Sequence, residues 1–124
     1  MARYSQQREL ILNAVRQNPV HPSADDIYHI VKQQNSNISL GTVYRNLNYL
    51  SDNGFIKKIQ IPNAPDRFDG RTEPHCHMIC QKCGKVYDLS CHIEDLKDEI
   101  CQETSHCCLE IHILATGICK NCSH

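Results

Sequence analysis

SLGTVYRNLNYLSDNG, residues 39–54, is the stretch that predicts the fold of the first half of this chain. Ser39 is a good N-cap residue, and Gly54 follows the last turn, where glycine commonly ends a helix. Between them the apolar residues recur at helical spacing, at Val43, Leu47 and Leu50. The stretch therefore predicts a helix that buries one face and turns a polar face outward.

Two more helices precede this stretch. The first is predicted to begin at Ser5 and to stop at Asn18-Pro19, and the second begins after Ser23, with Asp26 completing a capping box. After Gly54 come a strand from Phe55 to Ile61, a turn at residues 62–66 and a strand at residues 67–69. Three helices followed by strand, turn and strand predict a winged helix-turn-helix domain over residues 1–69.

The outward face of the third helix and the wing carry candidate DNA contacts. Residues 1–71 hold nine Lys and Arg against six Asp and Glu, whereas the remainder holds four against eight, so only the first half favours an anionic partner. Among the candidate residues, Arg45 is suited to pair with guanine, and the remaining side chains are suited to contact phosphates or a thymine methyl. A solvated face of an ordinary amphipathic helix is the alternative. The candidates are Ser39, Thr42, Tyr44, Arg45, Lys57 and Lys58.

Residues 70–124 predict a small α/β domain, which makes the fold class α+β. Short strands are expected at His77–Cys80, Lys85–Leu89 and Leu109–Leu114, and a helix with Ile93, Leu96 and Ile100 on one face. A sheet this small with one helix buries little apolar surface, so an isologous homodimer is expected to complete it.

Two Cys-x-x-Cys pairs, Cys80/Cys83 and Cys119/Cys122, offer four thiolates to one tetrahedral ion. Four sulfurs close the coordination shell, as in structural zinc sites. Two disulfides or a redox-active pair are the alternatives, but no thioredoxin-like pattern surrounds either pair. The sequence favours a structural zinc site that holds the C-terminus against the segment carrying the first pair.

The composition indicates a cytoplasmic protein. The 124 residues contain no membrane-spanning run and no apolar signal segment, so the nine cysteines are expected to be thiols or metal ligands rather than disulfides. Five cysteines exceed the zinc site, and they are expected to be small buried side chains. Cys76 is also a potential soft ligand between two histidines. The five are Cys76, Cys91, Cys101, Cys107 and Cys108.

His75 and His77 alternate along a predicted strand, so their imidazoles point to the same face. Asp69, Asp88 and His21 could complete a nitrogen and oxygen ligand set that suits Fe(II), Mn(II) or zinc. Ordinary surface histidines are one alternative. A small zinc hydrolase is another, although five ligands leave no open position for water. A metal-storage or zinc-ribbon module leaves the winged helix unexplained.

From Tyr4 to Cys122 the chain resembles the ferric-uptake-regulator family of metal-dependent bacterial repressors. The motifs that carry the resemblance are His21-Pro-Ser-Ala-Asp-Asp-Ile-Tyr28, Gly41-Thr-Val-Tyr-Arg-Asn-Leu47, Arg67-Phe-Asp69, His75-x-His77-x-x-Cys80-x-x-Cys83-Gly-Lys85, Asp88 and Cys119-x-x-Cys122. The resemblance implies a homodimer that binds operator DNA, with structural zinc on the four cysteines. It also implies a regulatory Fe(II) or Mn(II) on residues matching His21, Asp69, His75, His77 and Asp88.

Within that family, aspartate at the position of Asp88 resembles the peroxide-sensing branch, whereas iron-sensing members usually have glutamate there. The resemblance therefore implies that peroxide converts an imidazole matching His21 or His75 to 2-oxo-histidine and releases DNA. An iron- or zinc-uptake regulator is the alternative within the family. Members usually have a further helix ahead of the one predicted at Ser5, and its absence here is expected to lower operator affinity.

Overall fold

The computed structural model describes residues 2–73 and 75–123, which form two compact units divided between Thr72 and Glu73. The N-terminal unit contains three helices followed by an antiparallel pair of strands, with Lys58 opposite Phe68. The winged-helix order predicted from the sequence is confirmed. The elements are α1 (Ala2–Arg16), α2 (Ala24–Lys32), α3 (Leu40–Asp52), β1 (Lys57–Ile59) and β2 (Arg67–Asp69).

The helix caps follow the sequence closely. Ser23 caps α2 with a capping box, because its hydroxyl accepts from the backbone N–H of Asp26 and the Asp26 carboxylate accepts from the backbone N–H of Ser23. Ser39 caps α3 by accepting from the N–H of Thr42 at 3.1 Å. The prediction that Ser5 caps α1 is wrong, because no helix-breaking residue separates it from Ala2, where α1 already begins.

The core of the N-terminal unit is made of the apolar faces of its three helices. Ile56, just before β1, and Phe68 of β2 close it. Val43, Leu47 and Leu50 are all buried, as the spacing predicts. β1 is shorter than the predicted Phe55–Ile61, and Phe55 is exposed. The buried cluster comprises Ile11, Ala14, Val15, Ala24, Ile27, Val31, Ile38, Val43, Leu47, Leu50, Ile56 and Phe68.

The C-terminal unit is a three-stranded sheet with one helix. β3 lies in the centre, antiparallel to β4 and parallel to β5. The prediction of a last strand at Leu109–Leu114 is wrong, because the strand begins only at Leu114, where parallel pairing with β3 starts. The elements are β3 (Cys76–Cys80), β4 (Val86–Leu89), α4 (Ile93–Thr104) and β5 (Leu114–Gly117).

The C-terminal unit buries little apolar surface. Among its described residues, Val86 and Ile93 are the only buried apolar side chains other than cysteines. Such a small core needs a metal or a partner subunit to be stable. In the described part of the chain no helix combines the length and apolar character that crossing a bilayer requires.

Candidate metal centres and nucleic-acid interface

Four cysteines of the C-terminal unit converge on one point. Each of Cys80, Cys83, Cys119 and Cys122 places its Sγ within 4.8 Å of the other three. The Sγ atoms of Cys83 and Cys119 are 3.9 Å apart. Sulfurs about 2.3 Å from a tetrahedral zinc ion lie about 3.8 Å from one another, so this cluster has the dimensions of a zinc site.

Short turns at the ends of β3 and β5 bring the two cysteine pairs together. The first turn closes when the N–H of Gly84 donates to the carbonyl of Cys80 at 2.9 Å, and Gly84 takes a positive φ of 76° that suits glycine. The second closes when the N–H of Cys122 donates to the carbonyl of Cys119 at 3.0 Å. In the parallel pairing Cys80 lies opposite Gly117, so β3 and β5 finish at the same end of the sheet and both turns lie there.

The local electrostatics favour the thiolate form at Cys80 and Cys119. Backbone N–H groups of Cys119 and Cys83 lower the pKa of Cys80 to about 6. A hydrogen bond from the Tyr87 hydroxyl lowers the pKa of Cys119. The neighbouring Cys119 sulfur in turn raises the pKa of Cys122 to about 12. Four adjacent thiols cannot all ionise alone, and a divalent ion supplies the missing positive charge.

A second group of donors in the C-terminal unit centres on Asp88. Its Oδ1 lies 3.2 Å from Nε2 of His75 and 3.3 Å from Nε2 of His77. The two strands set this geometry, since His77 on β3 is directly opposite Asp88 on β4. Both histidines are buried, and the two imidazole rings are 4.4 Å apart.

One carboxylate oxygen that faces two ring nitrogens is an arrangement that a shared cation would fit. Nδ1 of His75 lies 2.7 Å from the carbonyl oxygen of Glu73, which can only accept, so Nδ1 carries a proton and, in the neutral ring that binds metals, Nε2 presents a lone pair. Ligands about 2.1 Å from one ion lie about 3.0–3.4 Å apart, which includes both distances to Asp88. These three residues therefore fit a hard or borderline divalent cation.

His21 and Asp69 form a matching pair within the N-terminal unit. Nε2 of His21 lies 3.3 Å from Oδ2 of Asp69, and both side chains are buried. The other carboxylate oxygen of Asp69 accepts from the N–H of Arg71 at 2.9 Å, which fixes its orientation. The pair thus offers one imidazole nitrogen and one carboxylate oxygen at the spacing of neighbouring metal ligands.

The backbone around His21 is held in an uncommon conformation. Its φ is 59°, in the left-handed region that non-glycine residues seldom adopt. Contacts with β2 maintain this geometry, because Arg67 Nη1 donates to the His21 carbonyl at 3.1 Å and the N–H of Phe68 donates to that of Pro22 at 2.9 Å. Such local strain commonly marks functional positions, and here it directs the imidazole to Asp69.

The outward face of α3 forms the candidate nucleic-acid interface. Ser39, Tyr44 and Arg45 are exposed, and Thr42 is half-buried. Arg45 Nη2 donates to the Thr42 hydroxyl at 3.0 Å, which orders the guanidinium near the N-terminal end of the helix. Lys57 and Lys58 lie on β1, and Lys58 Nζ donates to Asn48 Oδ1 of α3 at 2.7 Å. The two lysines are half-buried, and their roles with DNA stay predictions.

The sequence did not reveal how α1 orients α3. Asn46 is buried on α3, where its side chain accepts from Arg8 Nε at 3.1 Å and donates to the Thr42 carbonyl at 3.0 Å. The Arg8 guanidinium also lies 3.7 Å from the ring centre of Tyr49. Asn46 sits between two apolar positions of the helical stripe, which is the one signal that could have marked it as buried.

The surplus cysteines differ from the expectation. Cys76 and Cys91 form a disulfide, so the prediction that these cysteines remain thiols is wrong for this pair. The bond also rules out Cys76 as a soft metal ligand while it persists. Cys107 is exposed, and Cys101 and Cys108 are half-buried, so none of these three is a fully buried side chain.

Comparison with known proteins gives one consistent family. A profile of the Ferric uptake regulator family matches residues 1–114. The chain is 37% identical over 129 aligned positions to the peroxide operon regulator of Bacillus subtilis, with 98% of this chain and 84% of that protein covered.

Two solved structures are similar over nearly the whole chain. The peroxide stress regulator of Campylobacter jejuni has a TM-score of 0.85 and 29% identity, and the match covers 98% of this chain and 92% of that one. The Helicobacter pylori ferric uptake regulator Fur, described with three functional metal binding sites, has a TM-score of 0.85 and 27% identity, with 96% and 81% covered.

Proposed function

Because this chain belongs to the ferric uptake regulator family, we propose that it is a metal-dependent transcriptional repressor that senses hydrogen peroxide. The observation that carries the proposal is the convergence of His75 and His77 on one oxygen of Asp88, with the His75 tautomer fixed by a backbone carbonyl. Membership of this family argues against the zinc-hydrolase alternative, because its members are transcriptional regulators and not enzymes.

Two metal sites have separate roles in this proposal. Zinc on the four cysteines stabilises the C-terminal unit, whose apolar core is too small to do so alone. Fe(II) or Mn(II) acts as the corepressor, with ligands from His21, Asp69, His75, His77 and Asp88. Hard carboxylates and imidazoles, rather than thiolates, suit these metals.

The N-terminal unit binds the operator. The N-terminal end of α3 enters the major groove, where Arg45 contacts a base and Ser39, Thr42 and Tyr44 contact the backbone or a thymine methyl. Lys57 and Lys58 on the wing contact phosphates without reading sequence. The Thr42–Arg45 hydrogen bond supports this assignment, because it presents the guanidinium in an ordered position.

The protein acts as a homodimer with a palindromic operator. Support comes from the segment that precedes β5, where Leu109 is 78% exposed and Ile111 and Ile113 are only half-buried. An extended apolar segment of this kind is commonly covered by a second copy of the chain. A cytoplasmic location remains the prediction made from the sequence.

The peroxide response depends on which ion the regulatory residues hold. Iron held by these residues would activate peroxide for cleavage of its O–O bond. In the net reaction the imidazole of His21 or His75 gains one oxygen atom, and its two electrons reduce the other peroxide oxygen to water. Asp69 and Asp88 would hold the ion beside the imidazoles of His21 and His75, and the carbonyl of Glu73 fixes the orientation of the His75 ring. An oxidised imidazole is a poorer ligand, so the repressor loses its corepressor and releases DNA.

Operator binding by protein reconstituted anaerobically with Fe(II) or with Mn(II) tests this proposal. The iron form should release DNA after one equivalent of peroxide, and peptide masses should place an added oxygen on His21 or His75. The manganese form should stay bound. Binding that ignores peroxide but follows the free iron or zinc concentration would instead identify a metal-uptake regulator.

A further inference from the structure

Cys76 and Cys91 are joined outside both candidate metal sites. Cys76 lies on β3 between His75 and His77, and its side chain is 2% exposed. Cys91 follows β4 by two residues and is half-buried. Their Cα atoms are 6.2 Å apart, within the range that a disulfide spans without moving the backbone.

We propose that Cys76 and Cys91 are a dithiol that hydrogen peroxide oxidises directly, as a second modification site that needs no iron. This inference extends the proposed peroxide response but rests on different residues. The fold holds the Cα atoms of the two cysteines 6.2 Å apart, at bonding distance for their sulfurs. A peroxide-reactive pair needs this arrangement, because the first oxidised sulfur must meet its partner before it is oxidised further.

The exposure of the two side chains assigns their order of reaction. The Cys91 thiolate attacks one oxygen of peroxide, the O–O bond breaks, and the released hydroxide takes a proton to become water. Cys91 then carries a sulfenic acid. The Cys76 sulfur attacks the Cys91 sulfur, an S–S bond forms, and the S–O bond breaks to release a second water. Two thiols lose two electrons and two protons, and one peroxide becomes two waters.

The other described cysteines lack this arrangement. Four belong to the zinc cluster, where metal binding protects the sulfurs. Cys101 and Cys108 are neighbours, since the N–H of Cys108 donates to Cys101 Sγ at 3.3 Å, but they are not bonded to each other. Cys107 is exposed and serves as a control thiol.

The disulfide leaves the metal ligands in place. With Cys76 and Cys91 joined, His75 and His77 still face Asp88 at 3.2 and 3.3 Å. The bond ties the strand that carries the two histidines to the segment three residues beyond Asp88. Thiol oxidation should therefore preserve metal binding and operator binding, unlike oxidation of a ligand histidine.

The test uses reduced, zinc-containing dimer loaded with Mn(II), so that no iron chemistry occurs. After one equivalent of peroxide, free thiols are alkylated and the peptides are weighed. We expect Cys76 and Cys91 in one cross-linked peptide lighter by two hydrogens, and Cys101, Cys107 and Cys108 alkylated. Full alkylation of Cys76 and Cys91, or an earlier bond elsewhere, would overturn the proposal.

Two variants complete the experiment. Cys91→Ser should abolish the cross-linked peptide, and Cys107→Ser should leave it unchanged. Operator binding of the oxidised manganese form should equal that of the reduced form, and release of DNA would contradict the preserved metal site. If the iron form fails to release DNA while the cross-link still forms, the proposed iron-dependent sensing fails and the thiol proposal stands. If the iron form releases DNA and no cross-link forms, the thiol proposal fails and the iron-dependent sensing stands.

Discussion

Replacing Cys119 with serine should unfold the C-terminal unit and leave the N-terminal unit folded. Cys119 is 4% exposed, and its N–H donates to Cys80 Sγ at 3.4 Å, so it is a ligand and also part of the scaffold of the cluster. Serine supplies a hydroxyl in place of a thiolate and leaves three sulfurs. A structural zinc site with a missing ligand loses most of its affinity.

The magnitude follows from how little else holds this unit together when the Cys76–Cys91 disulfide is reduced. Burying Val86 and Ile93 contributes about 1.5–3 kcal/mol each. Zinc contributes an apparent 10–16 kcal/mol in small zinc modules, against a typical domain stability of about 5–15 kcal/mol. Loss of zinc therefore removes about as much free energy as a whole domain has. The N-terminal unit keeps its buried apolar cluster, which includes Ile27, Val43 and Leu47.

Far-ultraviolet circular dichroism and amide hydrogen exchange distinguish the two units. α4 is 12 residues long, whereas α1, α2 and α3 are 15, 9 and 13 residues long, so about three quarters of the helical signal should survive. Amides of β3, β4 and β5 should lose protection, and the dimer should dissociate. Cys107→Ser, at an exposed thiol, should behave like the parent. A zinc-free Cys119→Ser protein that keeps protected strands and stays dimeric would refute this reasoning.

Three other predictions use the same sites. Asp88→Ala should lower Mn(II) affinity, measured by calorimetry, by at least about 100-fold, because both imidazoles lose their shared carboxylate. The control Asp98→Ala, at an exposed carboxylate on α4, should leave Mn(II) affinity unchanged. Asp88→Glu should keep metal-dependent operator binding but weaken the peroxide response. Arg45→Ala should cost about 1–3 kcal/mol of operator affinity and relax sequence preference, while Lys57→Ala should reduce the salt slope by about one, both measured by fluorescence anisotropy. Acidification should release zinc, detected with a chelating dye: the depressed pKa of Cys80 gives a contribution to stability that is complete above its ordinary value of 9.0 and is lost as the pH falls through about 6.

Local patterns predicted well the elements whose signals lie close together in the chain. The capping box at Ser23, the apolar stripe of α3 and both Cys-x-x-Cys turns depend on residues only three or four positions apart, and all are present in the structure. The donor groups around Asp88 also follow from strand alternation, once β3 and β4 are recognised as neighbours.

The features that the sequence did not disclose depend on long-range pairing. β5 begins at Leu114 because its partner β3 runs parallel to it, and an apolar run cannot show which of its residues will be paired. Cys76 and Cys91 approach through the β3–β4 register, whereas composition and compartment favoured free thiols. The buried Asn46 side chain is satisfied by Arg8, 38 residues earlier, whose Nε donates a hydrogen bond to its amide oxygen.

On the proposed ligand set the regulatory ligands come from both units, which would couple metal binding to DNA binding. His21 and Asp69 lie where β2 runs beside the segment that begins α2, and α2 packs against α3, the helix proposed to read DNA. An ion that needs ligands from both units favours the arrangement that supplies them all. Moving such an equilibrium from 1:99 to 99:1 takes about 5.5 kcal/mol of differential affinity, or about four orders of magnitude.

Asp69→Asn tests that coupling, because it keeps the size of the side chain and replaces a negatively charged carboxylate with a neutral amide, which is a weaker metal ligand. On the proposed ligand set, the variant should bind Mn(II) more weakly and should lose most of the metal dependence of operator binding, while its metal-free DNA affinity stays that of the parent. Operator titrations with and without Mn(II) measure both quantities. If the variant keeps the parental metal dependence, the regulatory ion is held by the C-terminal ligands alone, and the switch has to act through the dimer rather than through the N-terminal unit.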